Sequence, residues 1–254
     1  MKKSLHVESY GEGSDIVLLH GWGFHSSVWK SLVQSLSVQY CVHCIDLPGF
    51  GRSQFIGEDY TMENIVEIIL SVAPSQATWI GWSLGGMIST LIAAQYPERV
   101  DRLVNVASSP RFIAEDYWFG VNSSALQKHA ELLRKDYQAT LKNFLILQFY
   151  QCHYSKTNLR QLMEELFQYG KPDERALFGG LDILLKQDLR THLSSITSPI
   201  LHIFGKLDVL VPVSAANSIQ GLNPNIQTEV ISGAGHAPFL SHPEEFLTVL
   251  QNFL

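Results

Sequence analysis

The stretch Gly81–Gly86, Gly-Trp-Ser-Leu-Gly-Gly, constrains the fold of this chain more than any other. The apolar, β-rich segment Ala77–Ile80 precedes it and predicts a buried strand, while Met87–Gln95 carries apolar residues at helical spacing. A strand therefore meets a helix with almost no loop, and Ser83 lies at the corner. Such a corner strains the serine backbone, so the residues two positions before and after it must be small, as both glycines are. This G-x-S-x-G pattern is typical of a nucleophile elbow, which exposes a serine Oγ above a sheet. A chance glycine–serine turn is the alternative.

Predicted strands and helices alternate along most of the chain at the spacing of successive βαβ units. This alternation predicts an α/β fold with a mainly parallel central sheet and helices on both faces. A length of 254 residues suits one such domain, or one domain with an inserted subdomain. The strands predicted besides Ala77–Ile80 are Ile16–Leu19, Val42–Ile45, Leu103–Val106, Ile200–Phe204 and Thr228–Ile231.

Two regions depart from this alternation. Leu5–Tyr10 predicts a further strand at the start of the chain, and Gly11–Ser14 predicts a hairpin turn after it. Between about Arg111 and Arg190 the pattern is helical, amphipathic and rich in aromatic residues, without a convincing strand. We therefore predict a helical cap, residues 111–190, inserted into a core formed by residues 1–110 and 191–254.

A serine hydroxyl needs a nearby base, itself oriented by an acid, to act as a nucleophile. In open parallel sheets such groups lie beyond the carboxyl ends of the strands. Asp208 follows the strand that ends at Phe204, and His236 follows the strand that ends at Ile231. We predict a catalytic triad of Ser83, Asp208 and His236, in the chain order Ser…Asp…His. An ordinary turn aspartate and a structural loop histidine are the alternatives.

Acyl transfer also requires hydrogen-bond donors for the developing oxyanion. The backbone N–H of Leu84 supplies one such donor, and the N–H of Trp22, in the loop after Ile16–Leu19, is predicted to supply the other. Two further polar residues near these loops receive structural roles: His20 is expected to brace the Trp22 loop, and Asp46 is expected to support its own turn rather than act as a second acid.

Composition limits the partners and the compartment. The formal net charge of −6 argues against general nucleic-acid binding, which requires a basic face. No stretch approaches the ~18 apolar residues of a membrane span, and Met1–Glu8 lacks the apolar run of a signal peptide. The 3 cysteines are widely separated and favour a reducing cytoplasm over a disulfide framework. Cys41 and Cys44, three apart in a predicted strand, point to opposite faces, so they are not expected to share a metal.

Several local sequences together resemble those of a known family. The chain resembles the α/β-hydrolases, and among them the pimeloyl-[acyl-carrier protein] methyl ester esterases of biotin synthesis. Trp82 within the elbow makes the resemblance more specific than the elbow alone. The segments that carry it are Leu18–Gly23, Asp46–Ser53, Trp79–Gly86, Val106–Pro110, Phe144–Gln148, Gly179–Leu184 and His236–Phe239.

The resemblance implies that Ser83 attacks the methyl ester of a pimeloyl chain carried by acyl-carrier protein, releasing methanol. It also implies which residues bind the acyl chain: Trp22, Ser83, Leu84, Phe144, Leu145, Ile146, Leu147, Gln148 and His236. No cofactor and no metal are expected, and the protein is expected to be a monomer.

An acidic carrier protein requires a basic docking surface. Between Lys128 and Arg160 the basic residues outnumber the acidic ones, and we predict docking at Lys142, Lys156 and Arg160. A solvated helical face is the alternative. Family members commonly carry arginines just before Phe144, where this chain has Ala139 and Asn143, which leaves the docking mode open.

Other functions remain open from the sequence. The closest alternative is another cap-bearing serine hydrolase, which would act on short free esters, on carbon–carbon bonds or on thioesters. A binding module that has the hydrolase fold without catalysis is a further alternative, although the chain keeps all three residues of the predicted triad.

Overall fold

A computed structural model describes residues 5–55, 57–152 and 154–254 of the protein. Met1–Ser4, half of the segment in which a signal peptide was not expected, therefore lies outside the described residues. None of the helices in the described part of the chain combines the length and the apolar character that crossing a bilayer requires.

Within the described residues, seven strands form one sheet in the order β1-β3-β2-β4-β5-β6-β7. β1 pairs with β3 in antiparallel orientation, and every other neighbouring pair is parallel. The predicted mainly parallel sheet is therefore confirmed. The strands are β1 Val7–Tyr10, β2 Ser14–Leu19, β3 Tyr40–Ile45, β4 Ala77–Trp82, β5 Val100–Val106, β6 Ile200–Gly205 and β7 Ile226–Ile231.

Helices connect the strands as the alternation predicts. The α-helices of the described residues are α1 Lys30–Leu36, α2 Met62–Leu70, α3 Leu84–Gln95, α4 Ser123–Lys135, α5 Tyr137–Gln148, α6 Lys156–Leu166, α7 Glu174–Lys186, α8 Arg190–Ser195, α9 Ala216–Gln220, α10 Pro238–Ser241 and α11 Pro243–Phe253. Short 3₁₀ turns precede α1, β5 and α9. The central strands β4 and β6 are buried along their whole length, as expected for strands covered on both faces.

The predicted hairpin at Gly11–Ser14 is wrong. β2 lies between two parallel partners, β3 and β4, so it has no free edge for β1. The chain instead crosses over the start of β3: a Cβ added to Gly11 or Gly13 would collide with backbone carbonyls of Ser37, Gln39 and Tyr40. Both glycines have positive φ, 78° and 119°, which lets the turn pass this close and carry β1 to the far side of β3.

The segment between β5 and β6 is helical, as its pattern predicts. It contains α4 to α8, and the β-pairing in it is confined, among the described residues, to two isolated bridges near Ile113 and Glu115. Three of its helices contact Trp22, which lies in the loop after β2. Leu177 of α7 accepts a hydrogen bond from Trp22 Nε1 at 2.8 Å, and the rings of His129 on α4 and Phe144 on α5 pack edge-on against Trp22.

His20 and Asp46 have the structural surroundings that their positions predict. His20 Nδ1 donates to Gly21 O and its Nε2 accepts from Leu47 N–H, both at 2.8 Å, and burial lowers the pKa of His20 to about 4. The buried Asp46 carboxylate accepts from Ser26 N–H at 2.7 Å and from Arg52 N–H at 2.9 Å. Burial raises the pKa of Asp46, but the nearby His20 and these donors outweigh burial and lower the pKa to about 2.

Replacing Asp46 by asparagine should therefore destabilise the fold. Asparagine keeps one acceptor oxygen, but its NH₂ group must then face an N–H group or the Arg52 Nε, which lies 3.2 Å from the carboxylate. We expect Asp46→Asn to lower the free energy of unfolding by about 3 kcal/mol. Urea unfolding measures this, with Asp101→Asn on the exposed start of β5 as the control, where a change within about 0.5 kcal/mol is expected. Equal stability of the two variants would contradict the role given to Asp46.

Candidate active site

Ser83 lies at the corner between β4 and α3. Its backbone has φ 55° and ψ −114°, a strained conformation for a residue with a side chain. Four hydrogen bonds hold it there: Ser83 N–H donates to Val106 O, and Ser83 O accepts from Gly86 N–H, Met87 N–H and the Ser108 hydroxyl, the last at 2.7 Å. The strained geometry that the elbow pattern predicts is therefore present.

The two glycines of the elbow have no room for a side chain. A Cβ added to Gly81 would collide with the backbone of Gly85, and one added to Gly85 would collide with Leu19 O. The N-terminal turn of α3 therefore packs directly on the ends of β4 and β2. This close approach explains why both positions must be glycine.

Asp208 and His236 meet at the carboxyl ends of β6 and β7. His236 Nδ1 lies 2.8 Å from Asp208 Oδ2, and both side chains are buried. Because a carboxylate can only accept, Nδ1 carries the proton and Nε2 keeps its lone pair. Asp208 Oδ1 accepts from Leu210 N–H at 2.7 Å and from Val211 N–H at 3.0 Å, so the carboxylate is held by its own turn.

Backbone contacts fix the loop that carries His236. Leu207 N–H donates to Ala234 O at 2.8 Å, which ties the loop to the turn of Asp208. Trp82 Nε1 donates to His236 O at 2.8 Å, which ties it to the elbow. His236 N–H donates to Gln148 O at 3.0 Å, which ties it to the end of α5.

The base and the serine do not share a hydrogen bond in this conformation. His236 Nε2 is buried and finds no partner among the described residues. The surroundings of both side chains are closed, since Ser83 is 4% exposed and His236 is 1% exposed. Catalytic hydrogen bonds often tighten only when substrate is bound. The free lone pair of Nε2 is an acceptor that a hydroxyl proton can occupy.

Two backbone donors also stand free near the elbow. Among the described residues, neither Trp22 N–H nor Leu84 N–H donates a hydrogen bond to the protein. Leu84 is the first residue of α3, and the N–H groups of a first helical turn have no partner within the helix. Trp22 is buried beside it, and Gly180 of α7 lies against both side chains.

The predicted acyl-binding segment on α5 divides into two faces. Phe144, Leu145 and Gln148 are buried, and Phe144 packs edge-on against Trp22 with ring centroids 5.1 Å apart. Ile146 and Leu147 are 46% and 39% exposed and lie on the outer face of the helix. In this arrangement they are directed away from the buried site, and a contact between them and an acyl chain stays a prediction.

Two polar groups near the site are buried without a hydrogen-bond partner among the described residues, and the family resemblance anticipates only one of them, Gln148. His129 of α4 packs against both Trp22 and Phe144, and its Nε2 is buried without a partner among the described residues. Burial lowers the pKa of His129, which favours the neutral ring. The side-chain amide of Gln148 is likewise buried, and neither its oxygen nor its nitrogen finds a partner in the described chain. Helical periodicity predicts that residues on these two helices face inward, but it does not reveal which of them remain without a hydrogen-bond partner.

The three predicted docking residues lie on exposed surface of α5 and α6. Lys142 Nζ lies 5.6 Å from the ring centroid of Phe167, and Lys156 is the first residue of α6. Arg160 pairs with Glu164 at 3.2 Å, and both side chains are largely exposed. Glu164 neutralises the charge of Arg160, so Lys142 and Lys156 carry most of the remaining positive charge of the three predicted residues.

Comparison with known proteins places this architecture in a family. Residues 16–243 match the family described as alpha/beta hydrolase fold. The chain belongs to this α/β hydrolase family. The match spans the elbow, the Asp208 turn and the His236 loop, which are the elements that build the site.

Full-length relatives of this α/β hydrolase share a name. This chain is 41% identical over 254 residues to the pimeloyl-[acyl-carrier protein] methyl ester esterase of Aliivibrio salmonicida (strain LFI1238), and the alignment covers 100% of this chain and 97% of that relative. It is 41% identical over 252 residues to the esterase of the same name from Serratia marcescens, covering 99% and 98%.

Solved structures support the fold. An esterase from Exiguobacterium antarcticum has a TM-score of 0.89 at 23% identity, covering 98% of this chain and 94% of that one. A bromoperoxidase from Bacillus anthracis has a TM-score of 0.87 at 22% identity with the same coverage. At these identities the likeness extends to the fold alone.

Proposed function

We propose that this α/β hydrolase is a serine esterase that hydrolyses the methyl ester of pimeloyl-[acyl-carrier protein] to pimeloyl-[acyl-carrier protein] and methanol, in biotin synthesis. The observation that carries the chemistry is a serine on a strained elbow at the same sheet edge as a buried histidine–carboxylate pair. The substrate is inferred from the two full-length relatives that are named for it.

In the proposed mechanism His236 Nε2 accepts the proton of Ser83 Oγ as the oxygen attacks the ester carbonyl. Asp208 holds the ring in the tautomer that leaves Nε2 free and stabilises the imidazolium that forms. The N–H groups of Trp22 and Leu84, which have no partner among the described residues, stabilise the oxyanion. His236 then protonates the departing methoxide, which leaves as methanol, and a water molecule activated by the same nitrogen hydrolyses the acyl-enzyme. These steps use only side chains and backbone donors, so we expect no cofactor.

The proposed acyl site lies under the proposed cap, residues 111–190. Trp22, Leu84 and Phe144 supply its apolar walls, and we add His129 because its ring packs against two of these aromatic rings and its buried Nε2 has no partner among the described residues. The pimeloyl chain of the proposed substrate has a carbonyl at each end, and a carbonyl oxygen can accept a hydrogen bond from His129 Nε2. Since the serine is almost fully buried, the cap must admit the chain from its outer surface.

We expect His129→Phe to separate stability from activity. Phenylalanine removes a buried nitrogen without a partner, which otherwise costs about 1–3 kcal/mol, so the melting temperature should rise. The same change removes a hydrogen bond to the substrate, so KM for the carrier-bound ester should rise about tenfold with kcat nearly unchanged. Thermal unfolding and steady-state kinetics measure the two effects. An unchanged KM would exclude His129 from substrate binding.

The assay that tests the proposal compares the carrier-bound methyl ester with free short-chain esters on purified protein. A strong preference for the carrier-bound ester is expected. Turnover of the free esters alone would instead favour a broad carboxylesterase.

Rescue of a biotin auxotroph that lacks the esterase, by the wild type but not by Ser83→Ala, tests the function in the cell. Failure of Ser83 to react with a fluorophosphonate in the folded protein would favour a binding module without catalysis.

Docking of the acidic carrier is proposed at Lys142, Lys156 and Arg160. Replacing Lys156 and Arg160 together by glutamate should raise KM for the carrier-bound ester about tenfold and leave kinetics with a free ester unchanged, because the charges lie outside the site. The effect should weaken at high salt. Lys186→Glu on α7 is the matched control, with an exposed lysine paired within its own helix. Equal KM values for the double variant and the control would remove this docking surface.

We further propose that the protein acts in the cytoplasm as a monomer. The three cysteines, Cys41, Cys44 and Cys152, are all unpaired, which suits a reducing compartment. Size-exclusion chromatography with light scattering tests the monomer.

A further inference from the structure

Three potential metal ligands converge on one side of the sheet, away from Ser83. Asp15 lies on β2, and Cys41 and His43 lie on β3. The parallel register pairs Asp15 with Cys41 and Val17 with His43. Because side chains two apart in a strand share a face, Cys41 and His43 point the same way, and Asp15 points with its partner Cys41. One ligand atom from each of the three residues lies within 4.8 Å of the others.

The carboxylate and the imidazole already touch. His43 Nε2 lies 2.6 Å from Asp15 Oδ1, so the two ligand atoms face the same point in space. In a tetrahedral zinc site, ligand atoms lie roughly 3.3 Å apart, as bond lengths of about 2.0–2.3 Å require. The pair must therefore separate by less than ~1 Å to admit an ion. Asp15 is 37% exposed and His43 is 16% exposed, so both side chains have room for this shift.

A third strand orients the histidine. Ser9 of β1 pairs with His43 in the antiparallel register, and its Oγ lies 2.8 Å from His43 Nδ1. With a metal on Nε2, Nδ1–H donates to the serine hydroxyl and fixes the ring. Metal-binding histidines almost always make such a second contact through the other ring nitrogen. The contact is present here without any metal.

We propose that Asp15, Cys41 and His43 form a binding site for a zinc ion, with water as the fourth ligand. A thiolate, an imidazole and a carboxylate together match the preferences of Zn²⁺ and not those of Mg²⁺ or Ca²⁺, which favour oxygen ligands. Binding displaces the thiol proton of Cys41 and breaks the His43–Asp15 hydrogen bond, and the ring proton of His43 moves from Nε2, which becomes the metal ligand, to Nδ1. Cys44 takes no part, because it is buried on the opposite face of β3.

The position of the site indicates a structural role. Asp15 is the second residue of β2, whereas the elbow follows the last residue of β4, and the two strands are parallel. The zinc site therefore lies near the amino ends of the strands, whereas the triad lies at their carboxyl ends. An ion at the zinc site joins β2 to β3 directly and holds β1 through Ser9. These three strands are the part of the sheet whose order the local sequence does not predict. The proposal departs from the sequence-based expectation of no metal, and it is independent of the ester substrate.

Cobalt titration tests the site on the full-length, reduced and metal-free protein. Co²⁺ should bind with one equivalent and produce a thiolate-to-cobalt charge-transfer band in the near ultraviolet with the visible bands of a tetrahedral ion, and Zn²⁺ should displace it. Cys41→Ser should abolish the charge-transfer band, and Cys152→Ser, which removes the cysteine on the cap side, should retain it. Ser9→Ala keeps all three ligands and should weaken zinc binding about tenfold.

Thermal unfolding supplies a second measurement on the same proteins. One equivalent of Zn²⁺ should raise the melting temperature of the wild type and of Cys152→Ser, but not that of His43→Gln. Circular dichroism establishes that each variant is folded. Absence of the charge-transfer band in the folded wild type, or an equal band in Cys41→Ser, overturns the proposal.

Discussion

Replacing Ser83 by alanine is expected to lower kcat for the carrier-bound ester by about 10⁵- to 10⁶-fold, because the nucleophile is lost while the oxyanion donors remain. The fold should survive this change. The four backbone contacts of the elbow do not involve the Ser83 side chain, and alanine has the same Cβ at the strained φ. Single-turnover kinetics with a matched melting curve measures the loss.

Ser108→Ala is the control for the elbow itself. The Ser108 hydroxyl donates to Ser83 O and helps to hold the strained turn, but it has no role in the proposed chemistry. We expect its loss to change kcat by no more than about tenfold. Similar activities of Ser83→Ala and Ser108→Ala would mean that Ser83 is not the nucleophile.

Asp208→Asn is expected to lower kcat by about 10⁴-fold with little change in structure. The amide oxygen should stay where Leu210 N–H and Val211 N–H donate, since these two donors need an acceptor. The NH₂ group then faces His236 Nδ1, which must accept, so the ring proton moves to Nε2. An Nε2 that carries a proton cannot act as a base. The backbone contacts around position 208 thus make the wrong tautomer the stable one.

The kinetics of Asp208→Asn can be compared with those of Asp208→Ala. Alanine leaves His236 Nδ1 without a protein partner but does not force a tautomer on the ring, so its kcat should be no lower than that of the asparagine variant. An Asp208→Asn enzyme within about tenfold of the wild type would contradict the assignment of Asp208 as the orienting acid.

Much of the site was predictable because the local sequence encodes both the strands and the loops directly after them. In a parallel sheet the residues just after the strands meet at one edge, so Asp208 and His236 could be placed together although 28 positions separate them. The elbow could be predicted because a strand, a serine between glycines and a helix are contiguous.

The remaining features depend on contacts between distant segments. The hairpin prediction fails because the order of strands in a sheet depends on which edges are already occupied, and β2 has none free for β1. Trp82 made the family resemblance more specific. The hydrogen bond from its Nε1 to His236 O, however, joins residues 154 positions apart, and no local sequence pattern predicts it. The inward positions of His129 and Gln148, with their unpaired polar atoms, result from how α4 and α5 pack on Trp22.

Mass spectrometry of the carrier protein after incubation with the enzyme shows whether Ser83 cleaves an ester at the far end of a carrier-bound chain. We predict that the wild type yields a carrier that keeps its acyl chain and loses only the methyl group. Incubation with Ser83→Ala should leave the mass of the carrier unchanged. A carrier stripped of the whole acyl chain, or an unchanged carrier after incubation with active wild type, would contradict the proposed reaction.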